Sequence, residues 1–358
     1  MRFDSLVPLL LVGAGQMGRN HYRSLREGIG IRSEDIIVVD TKSSALDELC
    51  KQWSAPRATT SLESALGMQP KAAIIAASTP AHYLLIKKLV EQGVEHLLVE
   101  KPLVMPGQLL DGVFGLADVH VAYLINFSRT LQNLNVFLGE NKLFVTEIDG
   151  QWGKDRTTDT RPTPGTLQDE LTHIWGVAAY LLRNRPFLGA DVSALLSHLP
   201  YVDMEVQRKM RAEDGSMSLR PDSRAHAAVR FYAQDGTSVL CTANSSFTRF
   251  EKTRRIELSI GDEVNPLMYA AQLDFDVQVG NDLHDQITIR AYGSKDALQV
   301  INYPASTKLT DMQHAWLEYA DEDMQDDRLV DWRTGRLLVE IADACERSHR
   351  DKKVIEVL

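Results

Sequence analysis

Glycines at positions 13, 15 and 18, within Gly13-Ala14-Gly15-Gln16-Met17-Gly18, have the spacing of a turn that lies against phosphate. Gly13 can make the tight turn, Gly15 leaves no side chain in the path of a pyrophosphate, and Gly18 lets the following helix lie close on the preceding strand. Gln16 and Met17 fill the variable positions at the start of that helix, whose unpaired N–H groups and positive dipole end favour an anion. Asp40, 22 residues past Gly18, closes the next apolar run. A carboxylate there accepts hydrogen bonds from ribose hydroxyls and repels a 2′-phosphate. Lys42 stands close enough to offer such a phosphate a counter-charge. This combination points to a dinucleotide, with NAD expected and NADP possible. Further on, Asp169 and His173 are four residues apart, a spacing that puts both on one face of a helix. An imidazole, with an ordinary pKa of ~6.5, suits proton exchange near neutral pH.

Such side chains need a frame. Short apolar runs at Pro8–Val12, Asp35–Asp40, Lys71–Ala76, Glu95–Val99 and His120–Leu124 alternate with longer helical segments. That order predicts parallel strands joined by helical crossovers, and the nearly continuous apolarity of the runs predicts helices on both faces of the sheet. After Leu124 the texture changes. A helix near Ser128–Leu138 leads into a strand, Lys142–Trp152, then a Thr/Pro/Gly-rich loop, Thr157–Gly165, and a helix over about Leu167–Leu182. Alternating segments follow at His226–Tyr232, Ser238–Ser245, Arg255–Ile260, Gln286–Tyr292 and Leu298–Tyr303. The turn signals Asp235-Gly236 and Gly293-Ser294 predict hairpins and hence an antiparallel sheet. Helices near Asp311–Tyr319 and Arg333–Arg347 and a terminal strand, Lys353–Val357, close the chain. The expectation is α/β: a doubly wound dinucleotide-binding domain over 1–124 and an α+β domain with a large, mainly antiparallel sheet over 125–358.

Bulk properties narrow the class. At 358 residues the chain is long enough for two domains and a core able to bury reactive groups. A formal net charge of −10 argues against general affinity for nucleic acid or an anionic membrane surface. Cys50, Cys241 and Cys345 are too few and too far apart for a disulfide framework or a zinc cluster, so a reducing, cytoplasmic setting is expected. The apolar run Leu6–Val12 enters a glycine turn instead of a cleavage site, and no run approaches the ~20 residues of a membrane span. Glu170-x-x-His173 and Glu346-x-x-His349 have the spacing found in di-iron helical bundles. The chain is not an all-helical bundle and the second pair sits in a charged stretch, so no metal is expected.

Gly13–Gly18, the run Ala77-Ser78-Thr79-Pro80-Ala81-His82 after the fourth strand and Val99-Glu100-Lys101-Pro102-Leu103 after the fifth resemble the Gfo/Idh/MocA oxidoreductases, named for glucose–fructose oxidoreductase and inositol dehydrogenase. Asp169-Glu170-Leu171-Thr172-His173 resembles that family's Asp-x-x-x-His helix. The resemblance implies a two-domain enzyme in which Lys101, Asp169 and His173 face the nicotinamide and a polyol-like substrate. Glu100 and Lys101 would help hold the cofactor, and Ala77, Ser78 and Thr79 would border the nicotinamide ribose. The chemistry agrees: hydride leaves a carbinol carbon only as its hydroxyl loses a proton, so a base must reach that oxygen. Lys101 sits at a strand's carboxyl end, where open α/β sheets bind ligands, and its ammonium can stabilise a developing alkoxide. Asp169 would orient the imidazole or a substrate hydroxyl. His82 reads as a structural residue at a helix start, and His21 as a packing residue near the phosphate turn.

Two positions depart from the family pattern. Gly176 stands where a second acid often follows the histidine, and Tyr123-Leu124-Ile125-Asn126-Phe127 lacks the arginines of the matching strand end. Both leave room for a larger or less polar substrate. The same residues are also compatible with an NAD-using glycosidase of the family or a non-catalytic sensor of NAD or a metabolite. The partners expected are a small-molecule substrate and a second copy of the chain, as homodimer or homotetramer through the C-terminal sheet.

Overall fold

The computed structural model describes residues 3–108, 112–113, 115–155, 165–183, 187–197, 224–233, 236–279 and 281–357. The chain divides into two compact units, one of residues 1–127 with 307–337 and the other of 128–306 with 338–358. It thus crosses between units three times, where the sequence reading has one crossing at 124/125.

In the first unit, strands β1 (Leu9–Val12), β2 (Ile36–Val39), β3 (Arg57–Thr59), β4 (Ala72–Ile75), β5 (His96–Glu100) and β6 (Asp118–Ala122) lie parallel, and the short β15 (Val330–Asp331) pairs antiparallel to β6. The order is β15-β6-β5-β4-β1-β2-β3. Helices α1 (Gln16–Arg23), α2 (Ser43–Gln52), α3 (Leu62–Leu66) and α4 (Thr79–Glu91) make the crossovers. Residues of β1, β2 and β4 are buried without exception, the cost-free outcome for continuous Leu, Ile, Val and Ala runs covered on both faces. Strand order reverses between β1 and β4, which opens the crevice at their carboxyl ends where such sheets take ligands. The glycine turn follows β1 at that place. The excursion at 307–337 brings in α7 (Lys308–Glu322), whose Met312, Ala315 and Trp316 join the core formed by Leu9, Leu11, Tyr22 and Leu25.

His120 on β6 packs edge-on against Tyr319 of α7, with ring centroids 4.6 Å apart. Burial is the main cause holding its pKa below the ordinary histidine value, while Asp118 and Asp331 pull it up. The folded chain therefore takes up this proton at lower pH than the unfolded chain. Stability contributed here is whole above the unfolded pKa of ~6.5 and declines as pH falls below it. Melting temperatures between about pH 8 and 5 should show the decline, and His120→Gln should flatten it by up to one proton's slope. Parallel curves for the two proteins would remove His120 as the cause.

The second unit is built on a sheet ordered β14-β13-β12-β11-β7-β10-β9-β8-β16 among the described residues. Its strands are β7 (Phe144–Asp155), β8 (Phe187–Ser197), β9 (Arg224–Ala233), β10 (Ser238–Ser246), β11 (Thr248–Gly261), β12 (Tyr269–Val279), β13 (Asp282–Ala291), β14 (Ala297–Pro304) and β16 (Ile355–Val357). Among the described residues of this sheet, only β7 and β10 pair parallel. Burial alternates along β9 and β10, so one face is packed and the other open. Helices α5 (Arg129–Asn141) and α6 (Thr172–Leu182) pack on the sheet. Helix α8 (Trp332–Asp351) carries the chain into this unit before β16. The hairpins expected at residues 235–236 and 293–294 join β9 to β10 and β13 to β14, with Gly236 at φ +81° and Gly293 at φ +77°. Asp235 and residues 157–164 of the expected loop lie outside the described residues. Strands β3, β8, β12 and β15 have no counterpart in the sequence reading: Arg57-Ala58-Thr59 and Val330-Asp331 are too short to show a period, and burial along β12 does not alternate regularly.

Candidate active site

In the first unit the three glycines do three separate jobs. Gly13 sits at φ +105°, and a Cβ there would come within 2.7 Å of the Ala76 carbonyl. A Cβ on Gly18 would lie 1.9 Å from the Gly13 carbonyl oxygen, so helix and turn could not close. Gly15 is exposed and has nothing within 4 Å of its Cβ position. No internal packing requires glycine at 15. Gln16 is likewise exposed, at the first residue of α1, and Met17 is half-buried against the core.

Asp40 ties β2 to this turn. One carboxylate oxygen accepts from the Ala14 N–H at 2.8 Å and the other from the Lys42 N–H at 2.8 Å. Each oxygen keeps a second lone pair, so the carboxylate can still receive ribose hydroxyls. Arg19, which sequence reasoning missed, reaches from α1 to Glu48 at 2.7 Å beside the same turn. Ala77 is half-buried after β4, Ser78 is the exposed N-cap residue of α4, and Thr79 begins the helix.

Glu100 ends β5 and is turned inward, 8% exposed, where it meets His21 Nε2 at 2.9 Å. Gln313 Nε2 donates to His21 Nδ1 at 2.8 Å and to the His21 carbonyl at 3.3 Å. Nδ1 is thereby the acceptor and Nε2–H donates to Glu100, which gives the packing role expected of His21 a definite tautomer. Lys101 follows at the strand's carboxyl end, half-buried, with a cis bond to Pro102.

In the second unit, Asp169 lies in a π-turn, Leu167–Leu171, and His173 in the first turn of α6. The expected regular helix over 167–182 therefore begins as a wider turn. Both residues still face one side, because alternate residues of β7 meet them. Gly150 lets Ile174 approach, since a Cβ there would lie 2.5 Å from Ile174 Cγ2. Trp152 stacks on His173 with centroids 5.1 Å apart and planes 23° from parallel. Lys154 Nζ pairs with Glu170 and lies 3.6 Å from Asp169 Oδ2. Across the sheet from Trp152, Arg254 sets its guanidinium 5.4 Å from the indole and pairs with Asp276. Burial lowers the Arg254 pKa, and Glu170, Asp285 and Asp169 oppose this. Asp285, 1% exposed, accepts from Ser128 Oγ at 2.6 Å and from the Asp276 N–H at 3.0 Å. Sequence reasoning missed Trp152, Lys154 and Arg254; the period-2 placement of residues 150, 152 and 154 was the one available signal. Gly176 is buried within α6. Asn126 is buried too and donates to the Arg328 carbonyl at 3.4 Å. Among the described residues no group of three or more His, Cys, Asp and Glu side chains is placed to hold a metal ion.

Comparison with known proteins supplies the deciding observation: residues 7–122 match the family model GFO_IDH_MocA, described as "Oxidoreductase family, NAD-binding Rossmann fold". The chain carries the NAD-binding domain of the Gfo/Idh/MocA oxidoreductases. None of the curated proteins matches the sequence. Solved structures of similar fold include UDP-N-acetylglucosamine 3-dehydrogenase GnnA from Acidithiobacillus ferrooxidans, at 16% identity over 95% of this chain and 96% of that one, with a TM-score of 0.69. Myo-inositol 2-dehydrogenase from Lactobacillus plantarum is 13% identical over 98% and 99% of the two chains, also at 0.69. GenD2 from gentamicin A biosynthesis, solved in complex with NAD, is 15% identical over 97% and 95%, at 0.66. At these identities the likeness concerns the fold, and it extends through both units of the chain.

Proposed function

We propose that this protein is an NAD-dependent oxidoreductase that moves a hydride between nicotinamide and a hydroxyl or carbonyl carbon of a sugar, cyclitol or similar polyol. The observation that carries the reading is the unfilled approach at Gly15, beside a carboxylate, Asp40, that retains acceptor capacity. Bound NAD supplies the hydride acceptor. Lys101 positions the reacting hydroxyl and stabilises its developing negative charge, His173 exchanges the proton, and Asp169 keeps the imidazole or the substrate oriented. Trp152 fixes the plane of the His173 ring, and Lys154 pairs with Glu170 beside Asp169. Two of the structures of similar fold are named as dehydrogenases of a nucleotide sugar and of an inositol, which is the substrate range proposed.

The test is a screen of sugars, nucleotide sugars and cyclitols for NADH-linked absorbance change; protein that binds NAD yet reduces it with none of them would overturn the assignment. Cofactor preference has its own check. Asp40→Ser should narrow the NAD preference over NADP by roughly five- to tenfold, the scale of one unit-charge repulsion at about 4 Å in solvent-rich surroundings. Wild-type protein that already binds NADPH more tightly than NADH would show that Lys42 or Arg19 outweighs the carboxylate.

Among the described residues no helix is long and apolar enough to cross a membrane. A cytoplasmic location fits a chain whose three cysteines are too few and too widely spaced for a disulfide framework. Assembly as a homodimer or homotetramer through the open sheet face, which presents Glu147, Asp149, Glu257 and Arg290 around a groove of about 400 Å³, is part of the proposal. Sedimentation of a single monomeric species at micromolar concentration would count against it.

A further inference from the structure

We propose that His82 is a positioning residue that fastens the loop bearing Lys101 to the loop bearing Ala77, and thereby sets the geometry of the nicotinamide end of the cofactor site. Its side chain leaves the first turns of α4 and is 1% exposed. Nε2 lies 3.0 Å from the Ala77 carbonyl oxygen, and Nδ1 lies 3.0 Å from that of Pro102 and 3.2 Å from that of Leu103. All three partners are backbone carbonyls, which only accept, so each bond requires a proton on the ring. Fastening both loops means that each ring nitrogen donates, Nε2 to one loop and Nδ1 to the other.

The placement matters more than the count. Ala77 lies two residues past the end of β4 and Pro102 directly follows Lys101 at the end of β5, and these strands are neighbours in register, with Ile75 opposite Val99. One ring therefore spans the carboxyl ends of two adjacent strands. Pro102 and Leu103 are buried, so little solvent can replace the imidazole at their carbonyls. His82 is thus more than the helix-start residue expected from the sequence. It makes no contact as a cap of α4, whose N-cap has no side-chain hydrogen bond.

The inference rests on the reading that Ala77 and Lys101 serve the nicotinamide half of NAD, and the experiment separates the two. NADH and ADP are titrated against wild type, His82→Phe and His82→Gln. His82→Phe should weaken NADH by about tenfold, the scale of a lost buried hydrogen bond, and change ADP affinity by less than about twofold. His82→Gln, which keeps an N–H-donating nitrogen but on a group that cannot span both loops as the ring does, should recover part of the NADH loss. Equal losses for NADH and ADP, or none for either, would overturn the inference while leaving the cofactor reading in place. Wild type that binds ADP but not NADH would overturn that reading, and the inference with it. A second readout needs no substitution: in protein carrying 15N-labelled histidine, the His82 ring N–H should be protected from solvent exchange. Rapid exchange there would overturn the inference even if the phenylalanine variant failed to fold.

Discussion

Lys101→Met and His173→Ala will each lower turnover on the identified substrate by about 10²-fold or more, the usual worth of a positioned acid or base, while NADH affinity changes little. Hydride departure and proton departure are coupled at one carbinol, so removing the proton acceptor raises the barrier without touching the adenine end of the cofactor. Asp169→Asn should cost less, because an amide preserves orientation while surrendering charge, although Lys154, 3.6 Å away, then loses one of its two carboxylate neighbours. The double variant Lys101→Met, His173→Ala should lose less than the product of the two single losses, since groups acting on one proton are not additive. Stopped-flow single turnovers with NAD, beside equilibrium titration of NADH, check both halves. Single variants with near-wild-type turnover would remove these residues from the chemistry and leave the cofactor domain as the surviving part of the proposal.

What was legible in the sequence is what local physics controls. Gly13 and Gly18 announce themselves because a constraint on each lies within the turn itself, a positive φ at Gly13 and the approach of Gly18 to the Gly13 carbonyl. Continuous apolar runs such as Leu9–Val12 and Ile36–Val39 declare a sheet covered on both faces. The neighbours of His173 were hidden for a different reason. Arg254 stands opposite Trp152 only through the register of β7 with β11, a pairing of residues about a hundred positions apart that no periodicity encodes. Asp276 turns toward Arg254 at φ +53° beside an irregularity in β12, and such bulges have no reliable composition. The return of residues 307–337 to the first unit was hidden too, since Met312 and Trp316 on α7 form an apolar stripe that would suit any core.

Gly15→Val will abolish most NADH binding, by well over tenfold, and leave the fold intact; this contrast identifies the turn as a binding site and not merely a tight corner. The first Cβ at position 15 meets nothing within 4 Å, so valine enters open space, and the melting temperature should move by no more than the strain of a β-branched residue at a helix N-cap. The same branched side chain would occupy the volume through which a pyrophosphate must approach the N–H groups at the start of α1. Gly18→Ala supplies the opposite control. Its Cβ would fall 1.9 Å from the Gly13 carbonyl oxygen, so helix and turn must separate, and stability should fall together with binding. Calorimetric melting and NADH titration on both variants distinguish the two glycines. If Gly15→Val bound NADH as wild type does, the space beyond the turn would not be the pyrophosphate site, and the exposed glycine would have no explanation in the packing of this domain.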